Sequence, residues 1–289
     1  MEFLFLLIVG LLEGFCAFVP VCAGGAAALA GHLFGQTSLV LPAVAAAGAG
    51  CMVAWFVTLS KDFKKYLFDS LRMFFKLLKK AGALISKNEE GGSSARIVRT
   101  KGERFTLLCL AAAPVYIILS GVFAGAAAKV ASSLLLTGAC YLITAVVFVV
   151  AERIPARKAG PSNVPLPAGF LAGLFAAAAV LPGISGLALL IVFGRLLGFN
   201  QKNSVRFSAR VMAPALFFQY IASLLKGQWP QMSVLGNIGV VAAVAAAYCA
   251  ARFTRKKTMN LTLRENFLQF ALASGIAALV TMAFGMLGF

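Results

Sequence analysis

Charge is scarce in this chain, and acid is scarcer still. Only 12% of its 289 residues are Asp, Glu, Lys or Arg, and nine of those are acidic; a soluble domain carries about 25% charged residues. With 61% hydrophobic residues and a mean hydropathy of +0.92, too little polar surface exists to coat a globule of this size. An ordinary soluble enzyme, a disordered chain and a collagen-like repeat are excluded together. There is one histidine, His32, and no Cys-x-x-Cys pair. That inventory does not build a zinc site. The six cysteines (Cys16, Cys22, Cys51, Cys109, Cys140, Cys249) all lie in apolar segments and read as small buried hydrophobes. The opening MEFLFLLIVGLLEGF has Glu2 where a signal peptide has a basic residue, and no small-residue cleavage site. It is expected to stay in the mature protein.

What the chain has instead is long apolar runs. Six of them, roughly 38–59, 105–122, 130–151, 210–226, 232–251 and 266–288, are long enough, or nearly so, to cross about 30 Å of hydrocarbon as helices. Two further stretches are apolar but interrupted. One covers 3–35 and contains Glu13, Pro20 and several glycines; the other covers 166–199 and contains Pro182, Gly183 and Gly186. The halves of each are too short to span. A pair of short helices that enters and leaves on one side fits better, and such backbone survives at membrane depth only where protein or a water-filled cavity surrounds it.

The 26 basic residues test this topology. Segment 60–104 holds 12 of them, 152–164 three, 195–210 four and 252–264 five. If both interrupted stretches are re-entrant, all four segments fall on one side and only Lys129 and Lys226 on the other. The positive-inside rule makes the first side cytoplasmic and puts both termini outside. The net charge of +17 therefore reflects topology, and no nucleic-acid recognition motif accompanies it. Within 61–81, Phe63, Leu67, Leu71, Phe74 and Leu78 recur at helical spacing among lysines, which predicts an amphipathic helix on the anionic leaflet. The following SKNEEGGSSARIVRTKGE reads as a polar loop.

The interrupted stretches resemble each other. Gly10-Leu11-Leu12, Pro20 and Gly31-His32-Leu33-Phe34-Gly35 in the first match Gly173-Leu174-Phe175, Pro182 and Gly194-Arg195-Leu196-Leu197-Gly198 in the second. Proline and closing motif are 11 residues apart in one and 12 in the other. The chain is thus expected to be a single all-α membrane domain, 1–289, built as an inverted repeat. The first repeat, 1–151, holds hairpin 3–35 and the basic segment 60–104; the second, 165–289, holds hairpin 166–199. Such folds place a site near the midplane, where broken helices meet, and many are transporters.

Glu13 is the one acid in a membrane-depth segment. Charge in hydrocarbon is costly, so such an acid marks a functional site by default, with a protonated, packed or snorkelling glutamate as the bland alternative. In the second break, Pro182-Gly183-Ile184-Ser185-Gly186, glycines free backbone N–H groups and a helix N-terminus there could hold an anion, with Ser185 adding a hydroxyl. No Lys or Arg lies within the break; the nearest is Arg195.

These residues resemble those of the undecaprenyl-diphosphatases, or bacitracin-resistance proteins. That family's first motif reads E-G-x-x-E-F-x-P-[IV]-S-S-T-G-H and is followed by G-H-L-x-G; Glu13-Gly14 through Ala26 follows it without a gap, and Gly31-His32-Leu33-Phe34-Gly35 closes it. Its second motif, P-G-x-S-R-S-G, then G-x-x-x-G and a Phe-Ser pair before a proline, is matched by Pro182-Gly183-Ile184-Ser185-Gly186-Leu187-Ala188, Gly194, Gly198, Phe207-Ser208 and Pro214. The resemblance covers essentially the whole chain and implies an all-helical fold with two re-entrant hairpins. The departures fall on the chemistry. The family's second glutamate is Ala17, its two serines and threonine are Cys22, Ala23 and Gly24, and its histidine is Ala26. Its diphosphate-holding arginine is Gly186, the next serine is Leu187, and the glutamine opening the second repeat is Ala176. His32 aligns with a later, non-catalytic position.

Glu13 and Ser185 are the family's catalytic positions that remain, and Gly24, Gly25, Pro182, Gly183 and Gly186 are the candidate ligand-binding backbone. Phosphoryl transfer depends mostly on positioning and on neutralising charge at the phosphate; removing one such electrostatic group typically costs about 10²–10³ in rate. The leading expectation is a protein of the bacterial cytoplasmic membrane that binds or translocates polyprenyl (di)phosphate lipid carriers, with lost or altered phosphatase chemistry. An active phosphatase with a divergent site, and a transporter or accessory protein for an unrelated ligand, stay open beside it. The resemblance implies a divalent cation, Mg²⁺ or Ca²⁺, only if the phosphatase activity is retained. A homodimer is also left open.

Overall fold

The structure is a computed structural model that describes residues 1–58, 66, 68–73, 75–76, 78–79, 101–155, 164–225, 231–264 and 266–288. Among them the regular structure is helical throughout, with no β-strand. The helices are α1 (Glu2–Cys16), α2 (Ala23–Leu33), α3 (Val40–Thr58), α4 (Lys101–Ala131), α5 (Leu134–Arg153), α6 (Pro167–Ala178), α7 (Gly186–Leu196), α8 (Gln201–Leu225), α9 (Val234–Leu263) and α10 (Phe267–Met286).

Among the described residues, five segments are long and apolar enough to cross a membrane: Thr37–Thr58, Gly102–Ala131, Leu134–Arg153, Val234–Lys257 and Phe267–Met286. The chain is an all-α integral membrane protein. The sixth run expected from sequence, 210–226, is the second half of α8, which begins at Gln201 and takes Lys202, Arg206 and Arg210 into the helix. The polar loop expected to reach Glu103 ends sooner, because α4 starts at Lys101. Glu103 is buried there and paired with Lys76 at 3.2 Å. Ten of the 21 residues of the amphipathic stretch 61–81, Phe63, Leu67 and Phe74 among them, lie outside the described residues. Of its described positions, Tyr66 and Met73 are buried, while Leu71 and Leu78 are exposed with Phe68 and Phe75.

The four short helices, α1, α2, α6 and α7, have 15, 11, 12 and 11 residues. At 1.5 Å per residue, none reaches the roughly 30 Å of a bilayer core. They form two pairs, α1–α2 broken at 17–22 and α6–α7 broken at 179–185. The two pairs end alike. Gln36 N–H bonds Gly31 O at 2.6 Å and Gly35 N–H bonds His32 O at 3.2 Å; Phe199 N–H bonds Gly194 O at 2.9 Å and Gly198 N–H bonds Arg195 O at 2.8 Å. Gly35 (φ 65°) and Gly198 (φ 86°) supply the left-handed residue that this helix ending needs. The first glycine of each motif lets the next helix approach: a Cβ on Gly31 would meet Val40 of α3, and one on Gly194 would meet Ser204 of α8. The repeated G-x-x-x-G is therefore a helix-closing device used twice.

The first helix of each pair is seated by small residues. A Cβ on Gly10 or Gly14 would strike the backbone of α9 at Ala243 or Ala247, and one on Gly169 or Gly173 would strike α4 at Leu108 or Ala112. Backbones this close gain dispersion contact without needing a hydrophobic driving force, which lipid does not provide. Helices α5 and α10 cross in the same way: Gly138 meets Ala278 and Met282, and Gly285 meets Leu134 and Leu135. Acids finish other helices. Glu2 Oε2 accepts from Ser233 at the start of α9, with Ser233 Oγ 2.8 Å away, and Glu152 Oε2 accepts from Phe267 N–H at 3.0 Å at the start of α10.

Gly198→Val forces a β-branched residue into the left-handed region and should cost at least about 1–2 kcal/mol, read as a lower unfolding midpoint in detergent. Gly121→Ala, with nothing within 4 Å of its Cβ, should leave the midpoint unchanged or raise it slightly.

Candidate functional site

The two breaks meet. A cavity of about 100 Å³ is lined from the first break by Glu13, Cys22 and Gly24 and from the second by Pro182, Ser185 and Gly186. Helices α3, α4 and α8 complete it with Cys51 and Trp55, Tyr116, and Met212 and Gln219. No Lys, Arg or His is among its described lining residues.

Helix α5 holds the breaks together. Tyr141 Oη donates to Cys22 O at 2.6 Å. One turn on, Thr144 Oγ1 donates to Gly183 O at 2.8 Å and accepts from Ser185 N–H at 3.2 Å. The breaks also touch directly, Gly183 N–H lying 3.2 Å from Cys22 Sγ. From other directions, Trp55 Nε1 donates to Ala17 O at 2.9 Å and the Thr262 hydroxyl donates to Phe18 O. Open backbone groups that water would satisfy in a soluble loop are satisfied here by side chains of neighbouring helices.

The sequence-predicted site residues divide into two groups. Glu13, Gly24, Pro182, Ser185 and Gly186 face the common cavity. Gly25 and Gly183 pack on α5 instead: a Cβ on Gly25 would overlap the Tyr141 ring, and one on Gly183 (φ 96°) would meet Thr137 O and Cys140. His32 is remote, with Nε2 3.3 Å from Ala131 O. Arg195 is also elsewhere, buried with its guanidinium 4.9 Å from the Phe267 ring centre. Phe207 is a core residue, and Ser208 Oγ donates to Leu187 O, tying α8 to the first turn of α7. Sequence reasoning did not single out Gln219, Met212, Trp55, Tyr116, Tyr141 or Thr144. The available signal was weak: isolated polar groups inside apolar runs.

Two helix N-termini open on the cavity. Ala23 and Gly24 begin α2, Gly186 and Leu187 begin α7, and all four line it. Each N-terminus carries a partial positive charge of roughly half a unit. Ser185 Oγ accepts from Ala188 N–H at 3.3 Å as the α7 cap, which leaves its proton to donate. Glu2, Glu103 and Glu152 have hydrogen-bonding partners; the Glu13 carboxylate has none among the described residues. Its Oε1 lies 3.9 Å from where a Cβ on Gly24 would sit. The arrangement can accept an anionic or hydrogen-bonding head group against backbone N–H groups, beside one carboxylate.

By themselves the donors do not form a divalent-cation cage. Mg²⁺ and Ca²⁺ take six or more oxygen ligands, supplied mainly by carboxylates, carbonyls and water. This cavity offers one carboxylate, and its other acidic groups are the thiols of Cys16, Cys22 and Cys51 and the phenol of Tyr116. Among the described residues, no three His, Cys, Asp or Glu side chains are placed to hold a metal ion.

Membrane-length apolar helices packed around broken ones define the class: a multi-pass membrane protein with its candidate site at the helix breaks. The sequence model of the family described as bacitracin resistance protein BacA matches residues 6–280, and the chain belongs to that family. It is similar to an undecaprenyl-diphosphatase of Trichlorobacter lovleyi, 24% identical over 99% of this chain and 100% of that one. It is similar also to an undecaprenyl-diphosphatase of Syntrophotalea carbinolica, 28% identical over 94% of each chain. An undecaprenyl-diphosphatase of Rhodopirellula baltica is 38% identical over 88 residues, which are 30% of this chain and 34% of that one.

Thr144→Val removes one donor and one acceptor from the second break and should cost about 1–3 kcal/mol. Thr144→Ser should recover most of it. Thermal unfolding of the two variants in one detergent separates them.

Proposed function

We propose that the protein binds polyprenyl (di)phosphate lipids of the bacterial cytoplasmic membrane at this cavity and holds or translocates them without the hydrolysis its relatives' names describe. The observation that carries this reading is Gly186. The resemblance puts a diphosphate-holding arginine there, but a Cβ at Gly186 would come within 3 Å of Ala179 Cβ and of Met212 Sδ and Cε. An arginine could not leave the backbone without displacing Met212. The cationic position is therefore both vacated and filled from α8.

The rest of the cavity supports the same reading. Ala17 and Gly24 leave no second carboxylate and no threonine, so Glu13 has no partner with which to divide acid and base roles. What remains suits binding: two helix N-termini, the Ser185 hydroxyl and an apolar wall. The charge distribution supports a topology in which the pairs α1–α2 and α6–α7 are re-entrant from opposite faces, with both termini outside. The matching helix endings, and the matching glycine seats on α9 and α4, support the two-repeat organisation of 1–151 and 165–289. An inverted repeat meeting at a midplane cavity is the architecture of many transporters.

Glu13 and Ser185 sharing one cavity favours the second reading, an active phosphatase with a divergent site. The test is phosphate release from undecaprenyl diphosphate with Mg²⁺ or Ca²⁺, run beside an active relative and the Glu13→Ala variant. The expected result is no release above the protein-free rate while the relative turns over. Release that vanishes in Glu13→Ala would establish the divergent phosphatase and overturn the proposal.

A further inference from the structure

A second, larger space adjoins the cavity. A groove of about 560 Å³ runs between the first turns of α3 (Leu41, Pro42), the second half of α4 (Ile117, Gly121) and the second half of α8 (Phe218, Leu225). These portions of α4 and α8 lie away from the ends that carry Lys101 and Lys202, toward the Lys129 end of α4. The groove's lining is mainly apolar, and Ile117, Phe218 and Leu225 are exposed on the outer face of the helices. Cavity and groove share three lining residues: Leu41, Val180 and Gln219. Gln219 is the polar one.

We propose that Gln219 determines specificity at this junction: its carboxamide hydrogen-bonds the phosphate ester of a single-chain lipid whose hydrocarbon chain lies in the groove and whose head group lies beside Glu13. This rests on the lipid-phosphate reading of the cavity and says which side chain selects the head group. A carboxamide brings two donors and an acceptor and no charge. It stands where the polar atoms of such a lipid give way to carbon, and its amide has no hydrogen-bond partner among the described residues. It is also the one long polar side chain facing the cavity from α8, the helix whose Met212 fills the space beside Gly186. A neutral donor at the ester replaces a cation at the diphosphate, which favours retention over cleavage. The groove explains why a chain is needed: a soluble phosphate would reach the same donors without the apolar contact that groove burial adds.

The test uses the full-length protein in nanodiscs. Trp55 lines the cavity, and Trp229→Phe leaves it as the only tryptophan of the two in the sequence, so its emission reports occupancy. The probes are geranylgeranyl phosphate, geranylgeraniol, geranyl phosphate and inorganic phosphate. Gln219→Leu should weaken geranylgeranyl phosphate about tenfold or more, the scale of a lost hydrogen bond to a charged group, and leave geranylgeraniol unchanged. Gln219→Asn should fall between, and Gln219→Glu should lose the phosphate probes most through like-charge repulsion. Gly121→Phe enters open groove space and should abolish the preference for the longer chain. A phosphate-over-alcohol ratio that is the same in Gln219→Leu as in wild type overturns the role of Gln219 and leaves the lipid-phosphate reading standing. Inorganic phosphate binding as tightly as the lipid, or a chain-length preference that survives Gly121→Phe, overturns the groove. No binding of either prenyl phosphate by wild type overturns the lipid-phosphate reading itself and the inference with it.

Discussion

A helix broken inside a membrane has to satisfy the amides and carbonyls that the break leaves open, and everything at this site follows from how that is done. Unpaired backbone groups in hydrocarbon cost several kcal/mol each. Here Thr144, Tyr141, Trp55 and Thr262 each satisfy a carbonyl of one break or the other. Because Tyr141 and Thr144 are one turn apart on α5, the two breaks are fixed against each other as well as closed. The cavity is the space left between them, and its position is set by α5 before any ligand is considered.

Residues that match the family motifs and residues that depart from them sit in different physical roles. Pro182, Gly183, Gly31, Gly35, Gly194 and Gly198 make the breaks and end the short helices, and Ser208 ties α8 to α7. They keep the scaffold. Ala17, Gly24 and Gly186, where the family resemblance puts a glutamate, a threonine and an arginine, line the cavity instead and seat no helix there. Beside Gly186 the Met212 side chain of α8 occupies the space a Cβ would enter, as close packing requires. Scarcity of acid points the same way. Glu2, Glu103 and Glu152 are engaged in helix starts and an ion pair, while Glu13 keeps its carboxylate at the cavity.

What the sequence made legible was local. The repeated glycine motifs, the Pro-Gly break and the short helix lengths depend on dihedral angles and hydrophobic runs, and they sit where the pattern puts them. The bounds of α8 and α9 were less legible. Arg206, Arg210 and the basic stretch after Ala251 read as segment ends, yet both helices continue through them. Arginine is a good helix former and Arg210 is stacked on Phe105, 4.9 Å from the ring centre. Half of the candidate site was legible through Glu13 and Ser185, which stand out by type and motif. Gln219, Met212 and the Tyr141–Thr144 pair were not, because their places come from packing between helices far apart in sequence.

Retention of a lipid diphosphate without its cleavage is the proposal that everything at the cavity turns on. Native mass spectrometry of the protein released from nanodiscs after incubation with undecaprenyl diphosphate and Mg²⁺ tests it most directly, since the bound lipid's mass reports its chemical state. The expected result is one intact diphosphate per chain, persisting over hours. A bound monophosphate with free phosphate in solution, or a chain that carries no lipid at all, would contradict it.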